Sequence, residues 1–162
     1  MGLREVVRST DRRWRIGLLN GPNMPNLGHR DKAVYGTISS MEALVKYFRD
    51  ACDALGVELA AEVCSNYEGD ILTWIHAEGP QLDGIVANPA GLTAFGEPTR
   101  HALQEAGCPF VEVHFANLAK TGLQSRFTAT ATGLCFGLRE HGYAAGLLAL
   151  VANLDDAAVA AG

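Results

Sequence analysis

The chain has 162 residues and a mass of 17.2 kDa, with 48% apolar and 19% charged residues, which fits one globular domain with a sizeable core and is too short for two ordinary ones. A formal charge of −5 and a pI near 5.5 lack the basic footprint of a protein that binds a polyanion, so neither nucleic acid nor an acidic membrane surface is expected as a partner. The apolar stretches at 133–138 and 144–153 are separated by Arg139, Glu140 and His141, and fall short of the roughly 20 residues that a bilayer span needs.

The opening run MGLREVVRSTDRRWR scatters arginines and has no apolar stretch before a small-residue cleavage site, so no secretory signal is read there and a cytoplasmic protein is expected. Residues 1–14 read as a flexible basic extension, 15–154 as a single catalytic domain and 155–162 as a frayed tail. Cys52, Cys64, Cys108 and Cys135 are widely spaced with no Cys-x-x-Cys pair, which predicts buried, reduced thiols and no local metal knuckle.

Arg15–Leu19 reads as the first strand. A helix follows over Ser39–Leu55, with Met41, Leu44, Val45, Phe48, Cys52 and Leu55 on one face, a serine to cap its start and Gly56 to close it. Val57–Val63 alternates as a second strand, and a helix runs through Ile71, Leu72 and Ile75. Asp83–Ala87 is a third, buried strand, Glu97–Ala106 a helix closed by Gly107, and Phe110–His114 a fourth strand. Leu118–Thr130 lacks any period and reads as a loop, Gly133–Leu138 as a short last strand and Tyr143–Asn153 as a closing apolar helix. Strands alternating with helices predict an α/β fold: a doubly wound, five-stranded parallel sheet in a flavodoxin-like three-layer sandwich, whose ligands lie outside the carboxyl ends of the strands.

That rule singles out one edge. The segments after the first, third and fourth strands are Asn20-Gly21-Pro22-Asn23, Asn88-Pro89-Ala90-Gly91 and His114-Phe115-Ala116-Asn117, so three strand ends deliver amides and an imidazole to it. The 18-residue connection Gly21–Ile38 has the length of a lid or binding loop and carries Arg30 and Tyr35. A guanidinium folded beside that phenol would stabilise a tyrosinate and make Tyr35 a base; otherwise Tyr35 packs on the sheet edge and Arg30 is solvated. Glu112 and His114 stand two apart on a strand and share a face, where the carboxylate can fix the imidazole's tautomer and prepare a general acid. A structural ion pair is the competing reading. His76 and His141 read as helix-surface residues and His101 as an edge residue.

The blocks LLNGPNMPNLG, GHRDKAVYG, SNYEGDILTWIH, DGIVANPAGLT, PFVEVHFAN and ATG, in this order and spacing from about Arg15 to Asn153, closely resemble the type II 3-dehydroquinate dehydratases. The resemblance implies a flavodoxin-like subunit in a trimer-based dodecamer, with no metal and no cofactor, acting on a small cyclic hydroxyketone. The family reaction is the reversible dehydration of 3-dehydroquinate to 3-dehydroshikimate, in aromatic biosynthesis or quinate breakdown. By motif position, Tyr35 is implied as the base beside the ketone, assisted by Arg30. Asn23 is implied in holding a hydrogen bond or water to the enolate, His114 with Glu112 as the acid for the departing hydroxyl, and Asn88 and Gly91 in substrate binding.

The chain departs from this family where the substrate is recognised. A typical Thr-His-Thr-Ser run is here Thr93-Ala94-Phe95-Gly96, a typical Arg-Asp pair is Arg100-His101, and Phe115 is followed by Ala116 where a serine is usual. The next loop is about three residues short, with Ala119–Ser125 in place of an arginine-rich segment, so Lys120 and Arg126 inherit no family role. Ala94, Phe95, His101, Phe115 and Ala116 therefore mark where a different substrate would be read, and each lost hydrogen bond to a ring substituent weakens binding by about 1–3 kcal/mol. Two alternatives follow: the same enolate elimination or an isomerisation on a less hydroxylated cyclic ketone, and a non-catalytic flavodoxin-like binding module. Pro22 and Pro25 count against the second, because they remove amide donors that an anion nest needs.

Overall fold

A computed structural model describes all 162 residues. Five strands, β1 Arg15–Asn20, β2 Glu58–Cys64, β3 Gly84–Asn88, β4 Phe110–His114 and β5 Gly133–Phe136, form one all-parallel sheet in the order β2-β1-β3-β4-β5. The central strands β3 and β4 are buried at every residue while the edge strands β2 and β5 are not, which explains why the former read as continuous apolar runs.

One face of the sheet is covered by α3 (Met41–Leu55) and α7 (His141–Ala161), whose core includes Ile16, Leu18, Phe48, Val113 and Leu147. The other is covered by α4 (Glu68–Glu78) and α5 (Glu97–Ala106), around Leu19, Ile71, Ile85, Leu103 and Phe127. Ser40 caps α3 by accepting from the Ala43 amide, and Gly56 ends it in the left-handed conformation at φ 73°. Gly146 lets α7 press onto β4, since a Cβ there would come within 2.9 Å of Val113.

Two ends of the chain differ from expectation. Residues 1–14 are not a loose extension: α1 (Leu3–Val7) precedes Arg8, whose guanidinium is buried against Asp155 at 2.7 Å. Nor does the last helix end at Asn153. It continues to Ala161, because Asp155 is 0% exposed and also accepts from the side chains of Thr10 (2.6 Å) and Trp14 (2.7 Å), while the alanines beyond it favour helix. The 21 residues of α7 are long and apolar enough to cross a bilayer by length and composition, yet the helix packs on β3, β4 and β5.

The long connections are partly ordered as well. Gly21–Ile38 holds a 3₁₀ segment, Met24–His29, and a single turn α2, Lys32–Tyr35; the loop after β4 begins with α6, Leu118–Thr121. All four cysteines are free thiols, but only Cys52 is buried, and Cys64 at the end of the edge strand β2 is exposed.

Candidate active site

The carboxyl ends of β1, β3 and β4 open into one cleft of about 290 Å³, lined by Asn23, Met24, Arg30, Tyr35, Asn88, Ala90, Gly91, Thr93, His114, Phe115, Ala116, Leu118, Thr121 and Leu123. Its floor is set by close backbone approach: Gly21 donates its amide to the Asn88 carbonyl at 2.9 Å, and a Cβ at Gly21 would collide with the Pro89 carbonyl. Asn23 turns at φ 75° and Ala90 at φ 48°, left-handed conformations that a non-glycine residue holds only when its surroundings impose them. The Asn66 carboxamide accepts from the Asn23 amide at 2.9 Å, and the Asn88 carboxamide from the Ala90 amide at 3.0 Å, which fixes both turns.

The long loop folds back so that α2 brings Tyr35 over this edge. The Arg30 guanidinium lies 3.8 Å from the centre of the Tyr35 ring, and Phe115 backs the same ring at 5.6 Å. A cation on the ring face is attracted to the phenol and more strongly to a phenolate. Across the cleft, His114 is 5% exposed and its Nε2 meets Glu112 Oε1 at 2.7 Å, so the imidazole's other nitrogen, Nδ1, is the one left for the cleft. Phe136 packs edge-on against the imidazole at 4.8 Å and limits its rotation.

Glu112 is itself 0% exposed on the α4/α5 face of the sheet. The loop after β4 covers it: Ser125 Oγ donates to Oε1 and Thr128 Oγ1 to Oε2, the latter at 2.9 Å. The two hydroxyls were not singled out in the sequence, where this loop has no period.

The whole arrangement can be matched against known proteins. Residues 14–151 match the family model described as dehydroquinase class II. A 3-dehydroquinate dehydratase of Halothermothrix orenii is 36% identical over 140 residues, covering 85% of this chain and 93% of that protein. The chain belongs to the class II dehydroquinase family. Crystal structures of type II dehydroquinases from Butyrivibrio crossotus (TM-score 0.78, 29% identity, 85% of this chain and 97% of that one) and Propionibacterium acnes (TM-score 0.76, 28% identity, 88% and 97%) have the same fold.

Within this dehydroquinase-family subunit the expected site residues divide. Asn23, Arg30, Tyr35, Asn88, Gly91, His114, Phe115 and Ala116 line the cleft, and Glu112 stands directly behind His114. Ala94, Phe95 and His101 do not line it: Phe95 is 84% exposed, and His101 is exposed and hydrogen-bonded to Glu97 at 3.1 Å on the surface of α5. Lys120 and Arg126 are exposed outside the cleft, which leaves Arg30 as the one lysine or arginine lining it.

Asn88 is more engaged than its motif position suggests. Its Nδ2 donates to Tyr143 Oη at 2.7 Å and faces Met24 Sδ at 3.5 Å, and Tyr143 Oη donates in turn to Asn20 Oδ1 at 2.6 Å. Tyr143 thus ties α7 to the ends of β1 and β3. Burial pushes its phenol well above the ordinary range, so Tyr143 remains a neutral donor. An apolar-helix reading of 143–153 gave no signal for this link, because a tyrosine at a core position looks the same whether or not its hydroxyl is used.

Proposed function

We propose that this chain dehydrates 3-dehydroquinate to 3-dehydroshikimate in the cleft at the carboxyl ends of β1, β3 and β4. The observation that carries the reading is that Tyr35, stacked on Arg30, and His114, held by Glu112, line one cleft of a size suited to a single small ring. Tyr35 as phenolate removes the proton beside the ketone, the electron pair moves onto the carbonyl oxygen as an enolate, and Asn23 holds the hydrogen bond or water that stabilises it. The enolate then expels the β-hydroxyl, which leaves as water with the proton donated by His114, and the ring gains a conjugated double bond. Asn88, Gly91 and Ala90 shape the wall on which the ring rests.

A spectrophotometric assay that follows the conjugated enone tests the reading. Turnover of 3-dehydroquinate is expected to fall by roughly 100- to 10,000-fold in Tyr35→Phe and in His114→Ala, the range that one positioned acid or base contributes.

The apolar character of one wall favours a second reading. Ala116, Leu118 and Leu123 line the cleft where ring substituents would otherwise meet polar groups, which suits the same elimination, or an isomerisation, on a less hydroxylated cyclic ketone. Absent turnover of 3-dehydroquinate, together with Tyr35-dependent exchange of deuterium from D2O into such a ketone, would establish that reading.

We also place the protein in the cytoplasm as a homo-oligomer built from trimers into a dodecamer. The exposure of Phe95 and the position of Ala94 and His101 outside the subunit's own cleft support contact between copies there. Sedimentation velocity of the purified protein distinguishes a dodecamer from a monomer.

A further inference from the structure

The loop after β4 does more than close the fold. The Glu112 side chain is completely buried, and every donor that reaches it is identified: His114 Nε2 and Ser125 Oγ on Oε1, and Thr128 Oγ1 on Oε2. A buried carboxylate with only the imidazole as partner would keep one oxygen without any donor and would be free to rotate about its last bond. Thr128 supplies that oxygen's donor and Ser125 adds a second donor to Oε1, so both oxygens are held and the rotation stops. Ser125 is itself held, because its Oγ also accepts from the Phe127 amide at 3.1 Å, and Phe127 is fully buried in the core under α5. The clamp is therefore anchored to the scaffold and not to a free loop tip.

We infer that Ser125 and Thr128 are positioning residues for the acid step, acting through Glu112 to keep one N–H of His114 on Nε2 toward the carboxylate, so that the proton given to the departing hydroxyl leaves from Nδ1, toward the cleft. The inference rests on the assignment of His114 as the proton donor. Its logic is that of a chain of orientation: the core fixes Phe127, its amide fixes Ser125, the two hydroxyls fix the carboxylate, and the carboxylate fixes the imidazole. This is also why the shortened loop still has a function after losing its arginine-rich character. Two of its hydroxyls, those of Ser125 and Thr128, reach Glu112, while Lys120 and Arg126 are exposed.

A double-mutant cycle separates this role from simple stabilisation. In the wild-type background Ser125→Ala/Thr128→Ala is expected to lower kcat by roughly 10- to 100-fold, part of what an oriented general acid contributes, with KM changed less than about threefold. Ser125→Thr and Thr128→Ser keep the hydroxyls and should each keep kcat within about threefold, which also shows that the loop tolerates substitution. In a Glu112→Gln background the same double alanine change should cost little further, because the hydroxyls act only through the carboxylate. Independent, multiplying losses would overturn the inference, as would an unchanged kcat in the folded double variant.

A readout that needs no substrate keeps this test distinct from the assigned reaction. At alkaline pH the ¹⁵N shifts of the His114 ring should report a single Nε2–H tautomer in the wild type and a mixture in the double alanine variant. One tautomer in both proteins overturns the clamp. If the shifts change as expected but 3-dehydroquinate is not turned over, the clamp stands and the substrate assignment falls.

Discussion

Two fully buried carboxylates sit in different regions of this subunit and show what the same chemistry does in each. Glu112 lies at the cleft end of the sheet and spends its acceptors on an imidazole and two hydroxyls. Asp155 lies at the opposite end, where β1 begins, and accepts from Arg8, Thr10, Trp14 and the amides of Ser9 and Thr10. One is saturated by neutral or titratable donors beside an open cavity; the other by a permanent cation in a closed cluster. The first arrangement holds an imidazole at the edge of the cleft, whereas the second fastens the two chain ends together.

The comparison breaks most visibly at Asp155. Asp155→Ala leaves the Arg8 guanidinium buried without its counter-ion, and should cost about 3–5 kcal/mol of stability in a denaturant titration. Because the cluster is at the far end of the sheet, the kcat of the folded fraction should stay within roughly twofold of wild type. Glu112→Gln is expected to do the reverse. It turns an amide donor toward hydroxyls that had been donating, costs about 1–3 kcal/mol of stability, and should lower kcat by roughly 100-fold.

Much of this contrast could be read in the sequence at one end only. The strand alternation placed Glu112 and His114 on one face, the lengths of the apolar runs gave the five parallel strands, and the Gly21–Ile38 loop announced itself by its length. Asp155 had no such signal: an isolated acid in an alanine-rich C-terminal stretch reads as surface, and its partners Arg8, Thr10 and Trp14 are more than 140 positions away in sequence. The hydroxyls of Ser125 and Thr128 were equally hidden, since they meet Glu112 only after the loop closes over α5's edge. Ala94, Phe95 and His101 lie outside the subunit's own cleft for a different reason. Motif position locates a residue relative to its family but not relative to the walls of a single subunit's cavity.

Acid sharpens the comparison further. Burial by itself would raise the Asp155 carboxyl, but hydrogen bonds from Arg8, Thr10 and Trp14 outweigh it and hold the group well below the usual carboxylate range. A carboxyl depressed in the folded state stabilises fully above its unfolded value, near pH 4, and loses that contribution progressively as the pH falls toward the folded value. Stability should therefore decline below about pH 4 in the wild type, and the decline should be shallower in Asp155→Asn, as measured by thermal melts between pH 2 and pH 7.

The smallest effect tests where the fold stores strain. The three non-glycine residues with positive φ, Asn23, Ala90 and Arg139, follow β1, β3 and β5 respectively, and all lie at the cleft end of the sheet. At Ala90 the left-handed conformation costs an L residue about 1–2 kcal/mol, and glycine would remove that cost while adding about 0.4–1 kcal/mol of unfolded-chain entropy. Ala90→Gly should therefore stabilise the protein by roughly 0.5–1 kcal/mol in a denaturant titration. The turn is pinned on both sides, by Asn88 Oδ1 on the Ala90 amide and by Thr93 Oγ1 donating to the Ala90 carbonyl at 2.6 Å, so the substitution does not loosen it. An unchanged kcat beside that gain would mean that the strain is a by-product of drawing three strand ends around one cavity. A fall in kcat would mean that the methyl group of Ala90, which lines the cleft, bears on the ring itself.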